Sequence, residues 1–195
     1  MTDAPGIEAA RERAGEYGMA AISRATGAVL RVIAAAMGAR TVVEVGTGAG
    51  ITAQYLLEAM PADGVVTTID AEAEHQRQAK VALREAGIGV NRTRPILGRP
   101  LEVLPRLADA AYDIVVLSER PEMLAAYTDH VLRILRPGGA VIVLNALWHD
   151  AVADPARRDE PVVALRQVIR SLHDDERLFS AIVPVGAGIL VGTKR

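Results

Sequence analysis

Residues 41–70 read TVVEVGTGAGITAQYLLEAMPADGVVTTID, and the fold turns on how this stretch divides. Thr41-Val-Val-Glu-Val45 is a short, mostly β-branched run halted by glycines, which reads as a buried strand. Glu44-Val-Gly46-Thr-Gly48-Ala-Gly50 follows and opens a helix over residues 51–59. Glycines permit a tight turn and let backbone N–H groups come close to a ligand. Pro61-Ala-Asp-Gly64 is the turn into a second strand, Val65 to Asp70. Asp70 stands twenty residues after Gly50, where an acid can accept hydrogen bonds from both ribose hydroxyls of an adenosine. A dinucleotide fingerprint, G-x-G-x-x-G, would need glycine where Ile51 stands, which disfavours a nicotinamide oxidoreductase.

The same alternation continues outward. Residues 7–19 and 25–38 read as helices, the second closed by Gly38. Residues 72–86 form a charged amphipathic helix ending at Gly87, and further strands are expected at 94–97, 112–117 and 140–144. A helix over 121–135 should stop at Arg136-Pro-Gly-Gly139, and another covers 158–173. The tail, 179–185 and 188–192, reads as a strand pair about a Val-Gly-Ala-Gly turn. Continuous apolar strands that alternate with helices imply a parallel sheet covered on both faces. The final hairpin adds one antiparallel strand. Ligands of such sheets sit outside the carboxyl ends of the strands, so site residues should follow positions 45, 70, 97, 117 and 144.

At 195 residues the chain is expected to be one domain, with helices over 1–38 and a core over 41–195. Half its residues are hydrophobic and its net charge is −2, which excludes a disordered chain and gives no basic face for nucleic acid. Absence of cysteine excludes disulfides, thiolate metal sites and thiol nucleophiles. Met1 to Arg13 carries no signal segment and no apolar run nears the ~18 residues of a membrane span, so a cytoplasmic location is expected. Six residues are aromatic, and of 22 basic residues only Lys80 and Lys194 are lysines.

The E-x-G-x-G-x-G pattern of residues 44–50 resembles motif I of S-adenosylmethionine (SAM)-dependent methyltransferases. Residues 41–70, then GRPLEVLPR (98–106), YDIVVL (112–117), LRILRPGGAVIVLNALWHDAVADP (132–155) and PVGAGILVGTKR (184–195) resemble more narrowly the metal-dependent O-methyltransferases, a family that includes the catechol and caffeoyl-CoA enzymes. That resemblance implies a Rossmann-like α/β fold, with a seven-stranded sheet of order 3-2-1-4-5-7-6 and strand 7 antiparallel. It also implies a homodimer, a SAM cofactor and a small-molecule acceptor. By matching position it assigns Glu44, Gly46 and Thr47 to the glycine loop, and Thr52 to the methionine carboxylate. Asp70 falls to the ribose, Gly98 and Arg99 to the adenine turn, and Ile22 to a contact at the N-terminal helices.

The chain departs from the family where strands 4 and 5 end. The family's Asp-x-x-Lys becomes Ser118-Glu-Arg-Pro121, replacing one metal ligand and the lysine base. The family's Asp-Asn becomes Leu144-Asn145. A hydroxyl and an amide lack the negative charge that holds a divalent ion, so no metal is expected, although Glu119 lies one residue out of register. Ser118 is kept as a cofactor-side residue, and Asn145 and Trp148 as substrate residues. His149 is the candidate base, with an exposed loop residue as the alternative reading. His75, His130 and His173 read as solvated helix residues, and Tyr17 could reach the site from its helix or from a dimer partner. The implied activity is metal-independent O-methylation of a small molecule. The alternative is a SAM- or S-adenosylhomocysteine-binding protein that has lost catalysis.

Overall fold

A computed structural model describes residues 2–195. The strands are β1 (Thr41–Val45), β2 (Val65–Asp70), β3 (Thr93–Leu97), β4 (Tyr112–Leu117), β5 (Leu135–Leu144), β6 (Leu178–Val183) and β7 (Ile189–Lys194). The helices are α1 (Pro5–Glu16), α2 (Arg24–Ala36), α3 (Ile51–Ala59), α4 (Ala73–Glu85), α5 (Pro100–Val103), α6 (Pro121–Ile134) and α7 (Glu160–Asp174). The seven strands form one sheet in the order β3-β2-β1-β4-β5-β7-β6, with helices on both sides. β7 runs antiparallel to both β5 and β6, so the expected topology is the observed one. No helix of the described residues is long and apolar enough to cross a membrane. The chain divides into two compact units, Met1–Pro100 and Leu101–Arg195.

In the first unit β1 pairs in parallel with β2, and β2 with β3. Val42, Val43 and Val45 are fully buried, as expected of a central strand, whereas the edge strand β3 is only half-buried. α1 packs Ile7, Ala10 and Ala14 into a cluster with Ala49, Ile51, Tyr55 and Ala82, against which Met19 and Ile22 also lie. α2 begins at Ser23, whose hydroxyl accepts the Thr26 N–H at 3.0 Å. α2 approaches α3 closely at Gly27, where an added Cβ would lie 2.1 Å from a Tyr55 ring carbon. Tyr55 is 2% exposed and has no room to yield. Gly27→Ala should therefore destabilise the protein by roughly 1–3 kcal/mol through overpacking. Differential scanning calorimetry would show this as a lower melting temperature, and an unchanged one would contradict the contact.

In the second unit β4 pairs in parallel with β5. α6 stops at Ile134, just before Arg136-Pro-Gly-Gly139, as expected, but β5 begins at Leu135 rather than Ala140 and takes those four residues in. The register shifts between Tyr112 and Ile114, because Leu135 faces Tyr112 while Ala140 faces Ile114. Such a bulge tolerates Pro137, which has no N–H to offer the ladder. It also explains Gly139, where a Cβ would meet the carbonyl oxygens of Arg136, Tyr112 and Asp113 at 2.9–3.1 Å. β6 ends two residues earlier than expected, and β7 runs on to Lys194.

Three arginines hold irregular segments by their backbone carbonyls. Arg92 donates to Leu57, Met60, Pro61 and Gly64 at 2.7–3.3 Å, closing the end of α3. Arg133 donates to Leu104 and Leu107 at 2.8 and 2.9 Å. Arg166, on α7, reaches the carbonyls of Ala151, Val152, Asp154 and Arg157.

Candidate active site

The glycine loop is built from three left-handed residues, Gly46 (φ 93°), Gly48 (φ 50°) and Gly50 (φ 78°). Residues with a Cβ rarely adopt such angles, which is why this turn needs its glycines. Gly50 has a second reason, because an added Cβ there would lie 3.2 Å from the Ala79 Cβ of α4.

Asp70 ties this loop to β2. Its Oδ2 accepts the Thr47 N–H at 2.9 Å and the Gly48 N–H at 3.4 Å, and its Oδ1 accepts the Glu72 N–H at 2.8 Å. The Asp70 backbone oxygen takes the Gly98 N–H at 2.9 Å, so the expected adenine turn starts beside the expected ribose acid. The sequence reading missed two further residues. His75, taken there as a solvated helix residue, places Nδ1 3.0 Å from Asp70 Oδ2. Gln76 is buried, and its amide donates to Thr47 Oγ1 at 3.0 Å and to the Thr68 and Ile96 carbonyls at 3.4 and 3.2 Å. Both sit in the first turn of α4, five and six residues after Asp70, and that spacing was the available signal. Thr47 Oγ1 also shares a hydrogen bond with Thr68 Oγ1.

Glu44 is an unusual member of a buried strand. It is 0% exposed, and neither carboxyl oxygen has a hydrogen-bond partner among the described residues. Burial pushes its pKa up to about 8; the Thr68 and Thr52 hydroxyls pull it partly back and the Asp70 charge adds to the rise. These hydroxyls lie near the carboxyl without a well-formed bond to it, and that of Thr68 is engaged with Thr47. Thr52 is buried in the first turn of α3. Ile22 is half-buried, and its carbonyl accepts a hydrogen bond from Arg11 at 2.5 Å. Arg99 is exposed.

In the second unit, Leu117 pairs with Val143, so Ser118 and Asn145 leave adjacent strand ends. Both are half-buried. Asn145, Trp148, His149 and Asp150 all have positive φ, between 47° and 65°. Non-glycine residues hold such angles only where their surroundings impose them. Here Ala146 and Leu147 donate to the Gly188 and Ala187 carbonyls, both at 2.9 Å, while Arg166 holds the far side of the loop. Trp148 is half-buried, His149 is exposed, and Tyr17, in the first unit, is 51% exposed. Lys194 gives its ammonium to the Leu132 and Leu135 carbonyls at 2.7 and 2.8 Å. Among the described residues no group of three or more His, Cys, Asp or Glu converges as a metal site would require.

A glycine turn after β1, an acid at the end of β2 and this sheet order together define a Rossmann-like methyltransferase fold. The sequence profile described as O-methyltransferase matches residues 8–195, so the chain belongs to the O-methyltransferase family. It is 47% identical over 188 residues to a provisionally named O-methyltransferase of Mycolicibacterium vanbaalenii, covering 96% of this chain and 83% of that one. A Corynebacterium glutamicum protein of known crystal structure superposes with a TM-score of 0.92 at 36% identity, covering 100% of this chain and 91% of that one. The O-methyltransferase TomG of Streptomyces achromogenes, crystallised with SAM and involved in tomaymycin synthesis, superposes with a TM-score of 0.89 at 27% identity, covering 99% of this chain and 91% of that one.

Proposed function

We propose that this protein transfers the methyl group of SAM to an oxygen of a small-molecule acceptor, without a divalent ion. The observation that carries the cofactor reading is Glu44, a buried carboxyl with no partner of its own beside a loop of left-handed glycines. An unpaired buried acid is costly unless a cation or donor comes to meet it. The ammonium of the methionine portion is such a cation, and the SAM-bound TomG relative supports the same reading. Thr52 would hold the methionine carboxylate, Asp70 the ribose, and Gly98 with Arg99 the adenine. Asp70 keeps acceptor capacity on Oδ1, which takes only the Glu72 N–H among the described residues.

When bound, SAM supplies an activated methyl group whose transfer is a direct displacement. The chain's task is then alignment of the acceptor oxygen and removal of its proton. Trp148 would wall the acceptor pocket, Asn145 would orient its oxygen, Ser118 would stand on the cofactor side, and His149 would take the proton. A hydroxyl and an amide do not suit magnesium, which usually keeps one or two carboxylates. The family match across residues 8–195 supports reading the chain as one catalytic domain, and we also propose that it acts as a homodimer in the cytoplasm.

The test is transfer of a labelled methyl group from SAM to a panel of phenols and hydroxy acids in excess EDTA. Transfer that persists is the expected result. Activity abolished by EDTA and restored by magnesium would overturn metal independence. A second reading, a SAM-binding protein without catalysis, is favoured by the absence of lysine at the end of β4. It would be supported by SAM raising the melting temperature while every acceptor stays unmodified.

A further inference from the structure

We propose that Arg11 is a positioning residue for the cofactor: it pins the segment between α1 and α2 over the glycine loop and so retains the methionine end of SAM. This rests on the SAM reading above. The segment, residues 17–23, has no regular structure of its own. It nevertheless lies against the loop, because a Cβ built on Gly48 would be 3.9 Å from the Ala20 carbonyl oxygen. Met19 and Ile22 pack on the cluster that contains Ala49 and Ile51, the residues on either side of Gly50.

The Arg11 guanidinium ties this segment down. Nη1 donates to the Ile22 carbonyl at 2.5 Å, Nη2 to the Tyr55 hydroxyl at 3.2 Å, and Nε to Asp3 Oδ2 at 2.5 Å. Asp3 also accepts from the Tyr55 hydroxyl and pairs with Arg24 at 3.3 Å, although its side chain is only 4% exposed. Tyr55 belongs to α3, the helix that the glycine loop opens. Arg11 therefore connects α1, the segment and the helix behind the loop through one planar fork. A lysine cannot reproduce this, because its single ammonium lacks the fork that meets three acceptors in fixed directions. The segment packs on Ala49 and Ile51, next to Thr52, which the reading above gives to the methionine carboxylate, so the effect falls on the methionine end.

The experiment compares Arg11→Lys with the wild-type chain by calorimetry, using SAM and 5′-methylthioadenosine as the two probes. The latter keeps the adenosine but lacks the amino-acid end. SAM should bind the variant about tenfold more weakly, the scale of one charge-assisted hydrogen bond. Methylthioadenosine should bind both proteins alike. Equal loss for both probes would reveal a general structural defect and overturn the proposal, as would unchanged SAM affinity. Failure of the wild-type chain to bind SAM would instead remove the cofactor reading itself. Should the variant fold poorly, hydrogen exchange on the wild-type chain decides the matter. Amides of residues 19–23 should gain protection with SAM but not with methylthioadenosine, and no gain with SAM would overturn it.

Discussion

Glu44→Gln should make the protein more stable above pH 8 and a poorer binder of SAM. Folded Glu44 keeps its proton up to a pKa of about 8, whereas the unfolded chain releases it near 4.5. Between those values the native state holds a proton that the unfolded state has lost. Each rise of one pH unit in that window therefore favours unfolding by ~1.4 kcal/mol. The stability is intact below pH 4.5 and the loss is complete once pH passes 8. Glutamine carries no such proton. Melting curves of the two proteins should diverge from about pH 5 upward, reaching a gap on the order of 10 °C or more at roughly 2–4 °C per kcal/mol, and run parallel above pH 8. Binding should move the other way. The SAM ammonium would lose its buried counter-charge, and truncating one partner of such a pair weakens affinity by about thirtyfold or more. Scanning fluorimetry from pH 5 to 9 and titration calorimetry measure both arms. A stability gap that stays constant from pH 5 to 8 would mean that folded Glu44 holds no extra proton. Equal affinity would mean that its carboxylate does not meet the cofactor.

Asp70→Asn should weaken SAM binding too, but with loss of stability rather than gain. The N–H groups of Thr47, Gly48 and Glu72 all point at this carboxylate, with His75 beside them. An amide must turn its NH2 toward at least one of these donors. Hydrogen bonds to a charged group contribute ~1.5–3 kcal/mol each, so the variant should be less stable by roughly 2–4 kcal/mol. The glycine loop would lose its tie to β2, and the ribose its strongest acceptor. SAM affinity should fall by about a hundredfold, a little under 3 kcal/mol. A variant that melts with the wild-type chain would show that these contacts contribute little. Glu44 and Asp70 sit on the neighbouring strands β1 and β2, yet their neutral variants separate the two roles cleanly: one acid destabilises the empty fold and the other supports it.

The order of elements was legible because strands and helices differ in hydrophobic period, and glycines mark where β1 becomes α3. Asp70 was legible from its distance beyond Gly50. Its partner His75, and Gln76 that braces Thr47, were not, because the face these residues present depends on where α4 starts after β2. Arg136-Pro-Gly-Gly139 was legible as the stop of α6 but not as part of β5, since the same residues that end a helix also build a bulge when a neighbouring strand supplies partners. The left-handed run at Trp148, His149 and Asp150 was only faintly legible, from a His and an Asp that tolerate such angles, because the groups that hold the loop, Arg166 and the Ala187-Gly188 backbone, lie elsewhere in the chain. The Asp3–Tyr55 bond spans 52 positions, and no local pattern reports it.

The near-absence of lysine also has a practical side. Guanidinium groups at Arg92, Arg133 and Arg166 do the work of holding carbonyls, and they do not react with acylating reagents at ordinary pH. Lys194 is tied to two carbonyls, while Lys80 stands exposed on α4. A dye or resin coupled through side-chain amines therefore finds one open address, on a single helix, and would attach every molecule in the same orientation.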